Sequence, residues 1–166
     1  MATNPQIILI DGPAGSGKTT LATKLQGELN CQVVHLDEIY DGWNNALSQT
    51  LSDKLLALVD SFLKGESFDL EIYNWHESKF DSSISIMPAS HLIIEGVGAG
   101  QSAIRQLAAT LYWVEADPGV ALQRVLERDE SVPEIEALMQ RWRISEAKHF
   151  KAERTREFAD FIITTT

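Results

Sequence analysis

A single cysteine, Cys31, among 166 residues excludes an intrachain disulfide and fits a reducing, cytoplasmic setting. Cys31 stands at the entry of an apolar strand pattern and reads as packing rather than as a reactive thiol. Positive charge is also scarce, with 14 Lys and Arg against 24 Asp and Glu for a net charge of −10. Such a surface repels nucleic acid and anionic membranes, so any phosphate site must be a local island of cations. No apolar stretch approaches the roughly 20 residues of a membrane span, and the first strand pattern begins a few residues from Met1, so neither a membrane span nor a signal peptide is expected. Repeats, linkers and low-complexity tracts are missing. No N-K-x-D segment for reading guanine occurs, and His91, His149 and Cys31 lack metal-ligand spacing.

What is present fits one domain over residues 1–166, since 44% hydrophobic residues are enough to build a core at this length. Strand and helix patterns alternate, which predicts a parallel sheet covered on both faces. Strands are expected at Gln6–Asp11, Gln32–Leu36, His91–Glu95, Leu111–Glu115 and Phe161–Ile163. Helices are expected at Gly17–Asn30, Leu47–Lys64, Gln101–Ala109, Val120–Glu127 (opened by Pro118) and Glu134–Arg154. Asp37–Asn45 reads as a polar turn. Glu66–Pro88 reads as an irregular excursion over the sheet with a short extended piece at Leu70–Tyr73. The fold class is therefore α/β, three-layered, with a five-stranded parallel sheet and a small lid over about residues 124–140, broken at Ser131-Val132-Pro133.

The chemistry concentrates at Gly12-Pro13-Ala14-Gly15-Ser16-Gly17-Lys18-Thr19, which satisfies G-x-x-x-x-G-K-[ST]. The apolar run Ile7-Ile8-Leu9-Ile10 precedes it, and Leu21, Ala22, Leu25 and Leu29 follow at helical spacing. Strand, glycine-rich loop and helix is the order a phosphate cradle requires. The loop can turn its amides inward, the helix N-terminus adds positive partial charge, and Thr20 continues the first turn. Lys18 is then expected on the β/γ-phosphates of ATP, and the Thr19 hydroxyl on Mg²⁺.

Three acids stand at the carboxyl ends of predicted parallel strands, where ligands bind in such sheets. Asp11 adjoins the loop and is expected to organise its hydrogen bonds. Glu95 ends Leu92-Ile93-Ile94 and is expected in the Mg²⁺ environment. Asp37, across the crevice, is the candidate general base for a hydroxyl acceptor. Arg124 and Arg128 leave one helix face and form the expected cationic clamp. Tyr40, Trp43, Tyr73 and Trp75, in otherwise polar stretches, are candidate contacts to a base or sugar. His35 reads as a core histidine or as support for a liganding group.

The loop, the turn His35-Leu36-Asp37-Glu38-Ile39-Tyr40-Asp41-Gly42-Trp43 and Ile94-Glu95-Gly96 together resemble the uridine kinase-like group of P-loop kinases, relatives of adenylate kinase. The tail Glu146-Ala147-Lys148-His149-Phe150 and Thr155-Arg156-Glu157-Phe158-Ala159-Asp160 is similar to bacterial proteins of that kind. The resemblance implies an ATP- and Mg²⁺-dependent kinase in which Asp37 accepts the hydroxyl proton, Lys18 holds phosphate, Thr19 and Glu95 surround Mg²⁺, and Arg124 and Arg128 serve as lid cations. The implied partner is a small-molecule phosphate acceptor, first a nucleoside, for a monomer or homodimer. A nucleoside monophosphate kinase, with second-phosphate arginines drawn from Arg105, Arg141 and Arg143, and a regulatory P-loop ATPase are the alternatives. The sequence departs from the group in two ways. It is short enough to leave no room for a nucleoside-binding hairpin, and Asn74 in Tyr73-Asn74-Trp75 replaces an expected Asp.

Overall fold

The computed structural model describes residues 4–166. Five parallel strands form the central sheet in the order β2 (Gln32–His35), β5 (His91–Glu95), β1 (Gln6–Asp11), β6 (Thr110–Ala116) and β7 (Phe161–Thr165). Burial on both faces explains why β1 is a continuous apolar run rather than an alternating one. Ile8 and Ile10 pack with Ala22 of α1 (Lys18–Leu29), while Ile7 and Leu9 point into the larger core on the opposite face. That larger core takes Leu51, Leu55, Leu58 and Phe62 from α2 (Gln49–Leu63), and Met139 and Trp142 from α5 (Ile135–Glu153). Three layers result, as expected.

Several predicted boundaries shift for identifiable reasons. The helix expected at Gln101–Ala109 contracts to α3 (Ser102–Arg105). The next, α4, starts earlier at Pro118 and runs to Arg128, because Asp117 caps it through the amides of Gly119 and Val120. The long helix ends at Glu153, where Arg154 takes a left-handed conformation and starts the short α6 (Thr155–Phe158). Between α4 and α5 only residues 129–134 are non-helical, so most of the expected 124–140 lid is helix.

One expectation is overturned. Glu66–Pro88 is not an irregular excursion but an antiparallel hairpin, β3 (Phe68–Asn74) with β4 (Lys79–Ile86). Leu70 and Ile86 anchor it in the larger core while most of β4 faces solvent. The chain therefore does have room for a hairpin beside the cleft.

Candidate active site

A cleft of about 1380 Å³ opens over the carboxyl ends of β1, β2 and β5. The phosphate loop forms its floor. Ala14, Gly15, Gly17, Lys18, Thr19 and Thr20 face the cleft, whereas Gly12, Pro13 and Ser16 build the loop from behind. Two glycines are required by close approach. A Cβ on Gly12 would lie 1.9 Å from the Val114 carbonyl oxygen, and one on Gly15 would lie 2.1 Å from that of Ala121. β6 and α4 thus press directly on the loop, and only glycine fits at either contact.

Asp11 ties the loop to the segment after β5. Its carboxylate accepts the amides of Gly12 at 2.7 Å, Gly98 at 3.1 Å and Gly100 at 2.8 Å. Full burial still pushes its pKa up to about 6 against those three amides and Lys18. Lys18 is itself buried, and its Nζ donates to Pro13 O at 2.8 Å. Burial lowers its pKa, while the charges of Asp11, Glu95 and Glu146 hold it up.

The residues expected around Mg²⁺, Thr19 and Glu95, lie in contact. Parallel register sets His35 beside Glu95. Glu95 Oε1 accepts the Thr19 hydroxyl at 3.1 Å and meets His35 Nδ1 at 2.6 Å. The hydrogen bond to Glu95 raises the His35 pKa and sets His35 against the acid expected near the metal. A hydroxyl and a carboxylate facing one cleft are hard oxygen donors of the kind Mg²⁺ takes, with water and phosphate oxygens completing its shell. Among the described residues no three His, Cys, Asp or Glu side chains are arranged to hold a metal ion by themselves, and a phosphate-completed Mg²⁺ site needs no such set.

Asp37 sits on the 3₁₀ turn Leu36–Glu38 and faces the same cleft. It is open to solvent but recessed among protein groups. That setting, followed by the Glu95 charge, raises its carboxyl above the ordinary range, while His35, Arg128 and Lys18 pull it back. The Trp75 indole donates to the Asp37 carbonyl at 2.8 Å, so the hairpin braces the turn carrying the acid. Next to it lies a wall of aromatic rings. Trp43 and Trp75 meet edge to face at 5.5 Å, Tyr73 and Trp75 at 5.0 Å, and Trp43 and Trp142 at 6.1 Å. Tyr40 tilts against Trp142 at 5.4 Å, and its hydroxyl donates to Val97 O at 2.6 Å, so it offers the cleft a ring and no free hydroxyl.

The arginines divide. Arg124 donates to Gly15 O at 3.2 Å and to Thr165 Oγ1 at 3.0 Å, and Thr165 donates to Ser16 O at 2.6 Å. These bonds tie Arg124, which also lines the cleft, to the backbone of the loop. Arg128 faces the cleft and forms a fork with Asp129 at 3.0 and 2.9 Å, which raises its pKa. Arg141, Arg143, Arg154 and Arg156 do not line the cleft; Arg154 pairs with Glu157 and Arg156 with Glu115. Three participants escaped sequence reasoning. Trp142 lay in the expected helix Glu134–Arg154 with no role assigned, Glu146 was noted only in the tail that carries the resemblance, and Thr165 lies past the expected end of its strand.

The sequence matches the AAA domain over residues 8–151, which is most of the chain. It belongs to the AAA domain family. A curated uridine kinase from Limosilactobacillus reuteri is 21% identical over 180 aligned positions, covering 96% of this chain and 83% of that protein. Two solved structures share the fold. One, described as a possible uridine kinase from Bacillus stearothermophilus, gives a TM-score of 0.67 at 20% identity, covering 98% of this chain and 90% of the other. A shikimate kinase from Acinetobacter baumannii in complex with shikimate gives 0.57 at 20% identity, covering 99% and 85%. The three-layer α/β architecture of this AAA domain protein is that of the uridine kinase-like P-loop kinases. No helix among the described residues is long and apolar enough to cross a membrane.

Proposed function

We propose that this protein is an ATP-dependent small-molecule kinase whose acceptor is a nucleoside. One observation carries the reading. A recessed carboxylate, Asp37, shares a cleft with the Lys18, Thr19 and Glu95 cluster on one side and an aromatic wall on the other. Phosphoryl transfer to a hydroxyl needs little covalent help from protein. It needs alignment, charge compensation and a home for one proton.

In this reading the loop amides and Lys18 hold the β- and γ-phosphates of ATP. Thr19 and Glu95 would hold Mg²⁺, which supplies positive charge to the phosphate oxygens when bound. The acceptor oxygen forms a bond to the γ-phosphorus as the bond to the β,γ-bridging oxygen breaks, releasing ADP. The hydroxyl proton passes to Asp37. A carboxylate whose pKa is raised by its recessed setting and by the Glu95 charge is a stronger base than a free one, which suits that task. Arg128, released in part from Asp129, is the cation available to the transferring group. The 124–140 segment acts as the lid through the bend at 129–134.

The aromatic wall favours a planar acceptor, since ring faces and edges recognise a base without charge. The lysines and arginines among the described residues lining the cleft are Lys18, Lys24, Arg124 and Arg128. A monophosphate acceptor would need a second set, and Arg105, Arg141 and Arg143 are not among them. Arg105 is instead spent on Gly100 O, Glu153 O and the Phe158 ring. This observation ranks the nucleoside above the nucleoside monophosphate.

The test measures ADP release with Mg²⁺·ATP against uridine, cytidine, UMP, CMP, shikimate and fructose. Uridine or cytidine is expected to raise turnover well above background. Asp37→Asn is expected to lower kcat by about 10²- to 10⁴-fold while leaving Mg²⁺·AMP-PNP affinity unchanged. Preference for UMP or CMP would transfer the assignment to the monophosphate reading, and indifference to every compound would overturn both.

A further inference from the structure

Glu146 is a buried acid in an awkward place. A carboxylate beside a phosphate loop opposes the polyanion that the loop is built to bind, and this one sits near enough for its charge to act on Lys18. Its bonding explains its presence. The Oε2 atom accepts the Ala14 amide of the loop at 3.0 Å and the Trp142 indole N–H at 2.9 Å. Trp142 lies one turn earlier on α5, and its ring packs on Tyr40 and Trp43 of the aromatic wall.

The other ties on the loop come from elsewhere. Asp11 holds Gly12, the Pro13 carbonyl accepts from both Ser16 N and Lys18 Nζ, and Arg124 with Thr165 holds the carbonyls of Gly15 and Ser16. Ala14 is held by Glu146. An amide fixed at that point sets the direction of the turn that follows, where Gly15 faces the cleft with φ +78.

We infer that Glu146 is a positioning residue for the phosphate loop, holding Ala14 in place through a bond anchored on Trp142 and so tying the loop to the opposite wall of the cleft. The role belongs to the accepting oxygen and not to the negative charge. This inference needs only the nucleotide loop, and it stands or falls separately from the nucleoside assignment.

Two substitutions separate bond from charge. Glu146→Gln keeps an oxygen able to accept both N–H groups and removes the charge. Glu146→Leu keeps the approximate volume and removes both. Mg²⁺·AMP-PNP affinity, measured by titration calorimetry, is expected to be unchanged or tighter in Glu146→Gln. In Glu146→Leu it is expected to weaken by about tenfold, the worth of a lost positioning bond. Thermal stability is expected to fall in Glu146→Leu, because the Ala14 and Trp142 N–H groups are left without an acceptor, and to hold in Glu146→Gln. Trp142→Phe, which retains a ring and deletes the N–H, is expected to weaken the nucleotide by about threefold.

Nucleotide affinity of the folded variants is the readout that a merely structural role would not move, and rescue by Gln separates the bond from the charge. The inference is overturned if Glu146→Leu binds AMP-PNP as wild type does. It is equally overturned if Glu146→Gln falls as far as Glu146→Leu, since the charge would then be what matters. Should Glu146→Leu not fold, Trp142→Phe with wild-type affinity overturns it, and weakened affinity alongside an intact Glu146→Gln supports it. Wild-type protein that fails to bind AMP-PNP would instead sink the nucleotide reading itself.

Discussion

Asp11 sets burial directly against hydrogen bonding, and the balance is measurable. Its carboxyl has no solvent exposure and accepts three backbone amides, with Lys18 adding a favourable charge. Amides and lysine favour the ionised form, while burial favours the neutral one. Burial wins, raising the pKa from 3.8 to about 6. The folded state therefore holds the Asp11 proton more tightly than the unfolded chain does. That contribution to stability is complete below the unfolded pKa and is lost as pH rises through the folded one. At about 1.4 kcal/mol per unit, the whole contribution is about 3 kcal/mol. Between about pH 5 and about pH 8, a window that avoids the acid range where net charge collapses, roughly 1.4 kcal/mol of it disappears. The assay is urea unfolding of wild type and Asp11→Asn at several pH values in that window. Asparagine is less stable throughout, because its amide meets amide donors, but it does not titrate. The stability difference between the two proteins should shrink by roughly 1.4 kcal/mol from about pH 5 to about pH 8. A difference that stays constant, or widens with pH, would show that the amides outweigh burial and would refute the reasoning.

Two further perturbations probe the same scaffold. Gly12→Ala places a Cβ 1.9 Å from Val114 O at a backbone φ of +145 and is expected to cost about 3 kcal/mol or more in urea unfolding; a loss below about 1 kcal/mol would mean that β6 yields easily. Tyr40→Phe removes the donor to Val97 O and keeps the ring against Trp142. It is expected to lower stability by about 1 to 3 kcal/mol, with AMP-PNP affinity unchanged; a fall in affinity would show that the phenol reaches the nucleotide.

The central sheet was legible because its strands are buried on both faces. Ile7 to Ile10 and Leu92 to Ile94 form unbroken apolar runs, and Glu95 stands out at the end of one because a buried strand has no ordinary use for a carboxylate. The hairpin was illegible for the opposite reason. β4, Lys-Phe-Asp-Ser-Ser-Ile-Ser-Ile, is mostly solvent-facing; Ser82 interrupts its apolar alternation of Phe80, Ile84 and Ile86, and its pairing with β3 carries a bulge near Ile72 and Tyr73. Its aromatic residues nonetheless signalled the cleft, because Tyr73 and Trp75 had no place in a polar loop.

Glu146 and Thr165 show a different limit. Each is an unremarkable polar residue within its own element, and each acquires meaning only from the loop that the fold lays against it, more than a hundred residues away in sequence. The phosphate motif specifies which amides face the nucleotide, but not what keeps the loop open. Here that task falls to groups drawn from β1, α4, α5 and β7, one contact apiece. A kinase loop held from four directions can exchange substrates without collapsing. This gives a physical reason for the chain to keep an acceptor oxygen, that of Glu146, at a point where electrostatics alone would oppose the charge it carries.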